Sequence, residues 1–410
     1  MPLCGRHGWL LLVGCAICVA GCGAAPPVPY PTWAPSERAY APSPTSGNAY
    51  DGYLIAAREA ESAAGDLARH VSFTGRHRNQ LLERTSSAFR KLQQASSKPS
   101  TFQFRSSPPF ELDPDYAGLR ILRLTTLWRI EDAIKAENLD RAVELANMGS
   151  KVGSDLAAGG AMDADLGLQW MDDIRKTIAP ILARLTVAQL SRLTAGQKRA
   201  LDSLPAFETI VRNERLNFLQ GVQWIQDAYA KGDFATIDTQ FGTPVRDATT
   251  YLKGVAKNDR EKRPAYFQGF AKEADIVADW YIQQSTKPLI KRQPLKDMPV
   301  EKERPWRRYA GQLFTTLAPV LTRYDATVAR TRLLVLTSEI RRQIKVARMA
   351  PRSLDAFTKD LRTDPLTGES FKYRAAGMEF YLYSVGPNFQ DDQGQTDGIY
   401  TNPDLVLESR

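Results

Sequence analysis

Every cysteine in this 410-residue chain lies within its first 22 positions: Cys4, Cys15, Cys18 and Cys22. The body that follows must therefore fold on apolar burial alone, without a disulfide framework. A chain of this length suits two or three domains, each with a sizeable core. Hydrophobic residues make up 43% and charged residues 24%, the balance of a folded chain rather than a disordered one. The formal charge of +8 is spread along the length, so we read it as a solvated surface and expect no nucleic-acid partner.

The first 21 residues have the parts of an export leader: Arg6, then an apolar run, then small residues. That run is too short for a permanent membrane helix. It ends Val19-Ala20-Gly21-Cys22, which resembles the lipobox of bacterial lipoproteins, where cleavage before the cysteine leaves it to carry acyl chains. The resemblance implies lipidation at Cys22 and a membrane partner reached through that anchor. Gly23 stands where some bacteria place an aspartate for inner-membrane retention, so the implied location is the outer membrane, facing the periplasm. Residues 22–49 are rich in proline and small residues and read as a semi-rigid tether.

From Tyr50 the apolar residues recur at steps of three and four, and the spacing predicts a mainly α fold of irregular helical hairpins over 50–322. Pro114 opens a strong helix, and the break at Glu137-Asn138 predicts an antiparallel hairpin with the next. The segment from Ala136 is similar to the turn of tetratricopeptide hairpins and has one echo at Ala230, but no period follows. Asp163 or Asp165 is placed to cap a helix that Pro180 should bend. Thr186-x-x-Gln189 and Thr194-x-x-Gln197 read as two capping boxes on consecutive short helices. Further helices are predicted over 207–231, 233–256, 264–284 and 306–344. Between the last two, a seam over 287–308 holds four prolines, eight basic and three acidic residues. Arg341, Lys345, Arg348 and Arg352 recur at helical spacing and read as a solvated stripe.

Near Met349 the pattern changes to short strands and turns, predicting a small α+β C-terminal domain over 323–410. Ala350 to Phe357 offers a short capped helix, Asp364-Pro365 with Gly368 a turn, and 371–374 with 378–385 a β-hairpin packed on the preceding helix. Asp364-Pro365, Gly368, Tyr373-Arg374, the run from Phe380 to Pro387 and Asp397-Gly-Ile399 resemble the C-terminal part of the type II secretion major pseudopilin. The long hydrophobic N-terminal helix of that family has no counterpart here, which argues for a borrowed fold and not a filament subunit. The resemblance implies a calcium site in the loop after the second strand, with Asp391, Asp392 and Asp397 as candidate ligands and Asn388 where the family places aspartate. Calcium favours hard oxygen ligands, which loop carboxylates and carbonyls supply.

Catalytic signatures are missing from the sequence. His70 and His77 have no partners at metal-ligand spacing, and Gly75 falls between them. The carboxylates nearest to a hydrolytic pair are Asp172-Asp173 and Asp163/Asp165, read as exposed or capping positions. Trp128, Trp170, Trp224 and Trp280 fall at apolar helix positions and read as core. The expectation is a non-enzymatic cell-envelope lipoprotein that acts as a scaffold or interaction module. Its alternatives are a secretion-associated accessory protein with a calcium-stabilised tail, whose partners are envelope or secretion proteins, and an envelope-polymer hydrolase.

Overall fold

The computed structural model describes residues 47–69, 75–102, 114–231, 263–299, 317–394 and 404–407. The lipobox at 19–22, the tether to residue 46, His70, the helix predicted over 233–256, residues 300–316 and Asp397 lie outside the described residues. Within them the chain is mainly helical, with a small C-terminal antiparallel sheet.

The first helix, α1 (Ala49–Ala64), is capped by Asn48, whose side-chain oxygen accepts from the backbone N–H of Tyr50 at 3.3 Å and of Thr101 at 2.9 Å. One carboxamide thus fixes both the helix start and the chain returning after α2 (Gly75–Arg84) and α3 (Ser86–Ser96). The buried face of α1 is rich in alanine (Ala49, Ala56, Ala57, Ala60, Ala64), so its neighbours approach its backbone closely. The closest is α4 (Pro114–Lys135), which crosses at Gly118: a Cβ there would fall inside the carbonyl of Ala57. Glycine is required by this backbone-on-backbone contact.

The predicted hairpin joins α4 to α5 (Leu139–Leu156). Glu137 makes the reversal at φ 56°, and Asn138 accepts from the N–H of Arg141 at 3.1 Å. Across the core Tyr53 donates to Asp155 at 2.6 Å, and Lys151 reaches the same carboxylate at 2.5 Å. A phenol and an ammonium therefore satisfy the buried carboxylate of Asp155.

Next, α6 (Ala161–Ile178) packs on α5 with Gly167 against the backbone of Gly153. Its cap differs from the expectation. Gly160 is the N-cap, and the N–H of Ala161 donates 2.8 Å to the carboxylate of Glu214, a residue 53 positions on, so neither Asp163 nor Asp165 caps it. Pro180 ends the α-helix instead of bending it, because proline supplies no N–H, and the chain continues as a 3-10 turn over Ala179–Arg184. Thr186 and Gln189 form the expected capping box of α7 (Val187–Ser203). Thr194 and Gln197 do not form a second one. Both are buried inside an unbroken helix, whose apolar face runs through Leu190, Leu193 and Ala200 without the gap a new start would need.

Two long helices, α8 (Phe207–Lys231) and α9 (Arg263–Ser285), pair with each other, tied by Arg215 and Asp275 at 2.6 Å. The chain then passes through 286–299, with short 3-10 turns at Leu289–Lys291 and Leu295–Asp297. Next comes α10 (Leu317–Ala347), the longest helix among the described residues. It lies on α6 and α7, and it also carries the C-terminal sheet. Leu334 enters the large helical core, whereas Leu333, Leu336 and Ile340 join Leu354, Leu361, Phe371 and Leu382 in the smaller core of the tail. The helix thus belongs to both units, and residue 323 falls within it rather than between them.

Beyond α10 the short capped helix is a 3-10 turn at Leu354–Ala356, with Ser353 accepting from the N–H of Asp355 at 3.3 Å. A single-turn helix, α11 (Lys359–Arg362), leads to the turn at Asp364. There the carboxylate accepts from the N–H of Leu366 at 2.9 Å, and Gly368 closes the turn at φ 81°. Strands β1 (Lys372–Ala376) and β2 (Glu379–Ser384) make the expected hairpin, in register from Lys372 with Tyr383 to Ala376 with Glu379. A third strand, β3 (Leu405–Val406), adds to β2 beside Tyr383 and Ser384. Its two residues are too few to show a period-two pattern in sequence.

Candidate functional site

Three groups of polar side chains have geometry that bears on function. The first is the loop after β2. Asp391 accepts from the phenol of Tyr383 at 2.9 Å and from the N–H of Gln393 at 3.1 Å, and lies 3.5 Å from the ammonium of Lys372. The Tyr383 hydrogen bond holds the Asp391 carboxyl below the usual range, while burial and Asp391 push the phenol up to about 12. Asp392 accepts from the Asn388 carboxamide at 3.0 Å. Asp404, which the sequence reading missed, accepts from the N–H of Gly394 at 2.7 Å and of Asp392 at 3.4 Å.

Burial raises the Asp404 carboxyl, the two backbone donors lower it, and the negative charges of Asp392 and Asp391 raise it again. Three carboxylates thus sit within electrostatic reach of one another around 391–394. Of the candidate ligands Asp391 and Asp392 are here, and Asp397 lies outside the described residues. Among the described residues no three His, Cys, Asp or Glu side chains converge as a metal cluster.

The second group fastens the proline-rich basic seam to the tail. Leu289 and Ile290 donate backbone N–H groups to the carbonyls of Pro365 at 3.3 Å and Leu366 at 3.0 Å. Arg292 forks onto both oxygens of Asp325 on α10, the longer of the two bonds being 3.0 Å, and its Nε donates 2.9 Å to the Lys287 carbonyl. Both side chains are buried, 7% and 6% exposed. Burial pushes the Asp325 carboxyl up to about 6, against the lowering by Arg292 and with some help from Asp364. Asp364 is itself raised by burial and accepts 2.6 Å from the Ser384 hydroxyl, which in turn accepts from the N–H of Gly386 at 3.2 Å. The seam is therefore pinned at this end to α10 and to the tail.

The third group corrects the reading of the hydrolytic candidates. Asp172 is 6% exposed and accepts 2.8 Å from Arg330 of α10, with Arg175 alongside at 3.7 Å. Asp173 accepts 2.9 Å from Arg123 of α4, and Asp165 pairs with Arg323 at 2.7 Å. These acids are not exposed: Asp165 and Asp172 tie α10 to α6, and Asp173 ties α4 to α6. Adjacent residues on a helix point about 100° apart, so Asp172 and Asp173 serve different neighbours instead of converging on one reacting centre.

Trp170 is fully buried and Trp280 nearly so, as expected of core residues. Trp128 is half-buried beneath the guanidinium of Arg78, 5.5 Å from its ring centre, and the Trp224 side chain lies outside the described residues. His77 lies on α2.

The Arg292–Asp325 pair had one legible half. Asp325 stands four residues after Leu321 on the apolar stripe of α10, and a lone acid on such a stripe calls for a buried cation. Arg292 sits in a segment without periodicity, so nothing marked it as that partner. No helix among the described residues is long and apolar enough to cross a membrane. In comparisons with known proteins, no family model, no curated protein and no solved structure matches this chain.

Proposed function

We propose that this protein is a non-catalytic cell-envelope lipoprotein, held at the outer membrane by an acylated Cys22 and presenting its helical body to the periplasm as a scaffold for other envelope proteins. The observation that carries the reading is Val19-Ala20-Gly21-Cys22, set between an apolar leader and a proline-rich spacer in a chain with no later cysteine. Two or more acyl chains, at about 0.8 kcal/mol for each buried CH₂, make such an anchor effectively permanent. The body supports the same reading: its conspicuous acids, Asp165, Asp172 and Asp173, are committed to arginines that join helices. Substituting Cys22→Ser is expected to move the protein from the membrane pellet to the soluble fraction, or to leave an unprocessed precursor of higher mass. A variant that is processed and pelleted like the wild type contradicts the anchor.

One observation favours a second reading, an accessory secretion protein with a calcium-stabilised tail. Asp391, Asp392 and Asp404 surround a single loop, and each adds to the negative potential that a divalent cation would relieve. Under that reading millimolar Ca²⁺ raises the midpoint of thermal unfolding and a chelator reverses the rise. Identical melting curves with Ca²⁺ and with chelator rule the cation out and leave the loop as a turn held by backbone donors.

A further inference from the structure

The C-terminal end of α10 and the turn of the β1–β2 hairpin meet at one corner of the molecule. The N–H of Ala350 donates 2.8 Å to the carbonyl of Gly377, which sets Met349 beside Met378, and Tyr373 donates 2.7 Å to the carbonyl of Pro351 just behind them. Three large apolar side chains project there into solvent: Val346 is 66% exposed, Met349 53% and Met378 58%. Unbranched methionine side chains adapt to an irregular apolar surface.

Around this tip stand exposed arginines. Arg348, Arg352 and Arg374 have no carboxylate partner among the described residues, although Arg374 stacks on Tyr381 with 5.6 Å to the ring centre. Other basic residues nearby are used by the protein itself: Lys345 donates to the Ala183 carbonyl at 3.1 Å, and Arg342 pairs with Glu339 at 2.9 Å. The stripe expected from sequence is therefore divided, because α10 ends at Ala347 and Arg352 lies beyond it. Arg348 occupies the position after the helix at φ 57°. Glycine is the usual residue there, because a β-carbon is crowded in the left-handed conformation.

We propose that this corner docks on an anionic phospholipid bilayer: Val346, Met349 and Met378 enter the acyl boundary while Arg348, Arg352 and Arg374 bind headgroup phosphates. Guanidinium forks match phosphate oxygens, and exposed cations without carboxylate partners give up no ion pair on binding. The tip is made of a helix end and a hairpin turn joined by the Ala350–Gly377 hydrogen bond, so its exposed apolar side chains come from two elements held together. Three apolar side chains hold a bilayer weakly on their own, so the proposal rests on the lipid anchor at Cys22, which keeps the body beside the membrane.

The test uses the native lipidated chain in vesicles, with an environment-sensitive thiol fluorophore on Met378→Cys, or on Met162→Cys as the comparison site, Met162 being 52% exposed on α6. In vesicles containing phosphatidylglycerol the probe at 378 is expected to shift to the blue and brighten severalfold. In phosphatidylcholine alone it stays as in water, and the probe at 162 stays as in water in both. Arg348→Gln with Arg352→Gln should lower the insertion equilibrium constant about 25-fold, from roughly a fivefold loss per charge. Equal signals in both lipids, indifference to the arginine substitutions, or an equal shift with soluble polyglutamate each overturn the proposal, the last by assigning the corner to an acidic protein. Failure of the anchor reads differently: the chain then leaves both kinds of vesicle on sedimentation.

Discussion

Removing the carboxylate of Asp325, as in Asp325→Ala, is expected to lower the unfolding free energy by about 3–5 kcal/mol, because Arg292 is left buried without its counter-charge. The pair is also the fastening of the 286–299 seam, with the Leu289 and Ile290 N–H groups holding the same seam to Pro365 and Leu366. Replacing both partners by apolar residues of similar volume, Arg292→Met with Asp325→Leu, should return stability to within about 1 kcal/mol of the wild type. Urea unfolding of the two variants checks this. Equal losses in the single and double variants would show that packing of the seam, and not its buried charge, sets the cost.

The same pair predicts a pH dependence. The Asp325 carboxyl titrates near 6 in the folded chain and near 3.9 in the unfolded chain, about the ordinary value for aspartate. Between those values the folded state binds more protons, so this group's contribution to stability falls as pH rises from about 4 to about 6 and is constant above. A carboxyl carbon resonance with a midpoint near 6, moved further up by Arg292→Met, is the expected titration. A midpoint below 4 would show that the guanidinium outweighs burial.

Gly118→Ala is the second large effect, expected to cost about 3 kcal/mol or more, the upper range for overpacking, because the new Cβ meets the backbone of Ala57 and not a movable side chain. The second substitution Ala57→Gly should give no rescue, since the Ala57 carbonyl remains in place. Gly47→Ala is the matched control, with nothing within 4 Å of the position a Cβ would take. Thermal unfolding that places Gly118→Ala beside Gly47→Ala would mean that α1 and α4 part easily, contrary to the close crossing described here.

Much of the architecture is legible because it is local. The hairpin at Asn138, the Thr186 and Gln189 capping box, the Asp364 turn and the presence of the β1–β2 hairpin all depend on residues within a few positions of one another. What the sequence conceals is long-range. Thr194-x-x-Gln197 has the letters of a cap, but the apolar face of α7 continues through it. Glu214 caps α6 from 53 residues away, and Asp404 closes the 391–394 loop from beyond a gap. Asp172 and Asp173 look like exposed or capping positions in sequence because their arginines, Arg330 and Arg123, come from other helices. An acid's burial depends on which cation the fold brings to it, and no spacing rule records that.

The tail illustrates both cases. Its hairpin packs on α10 as the alternation predicts, while α10 also supplies Leu334 to the helical core and Arg330 to Asp172. A chain cut at 323 would lose both contacts from the body. The unit that ends the molecule is therefore built onto the helical part through a shared helix.

The proposed lipid anchor is tested by the mass of the mature N-terminal peptide. The expected peptide begins at Cys22 and carries a diacylglyceryl group on its sulfur, so that extraction with organic solvent is needed to recover it. A mature chain beginning at any other residue, or at Cys22 with an unmodified thiol, would contradict the anchor.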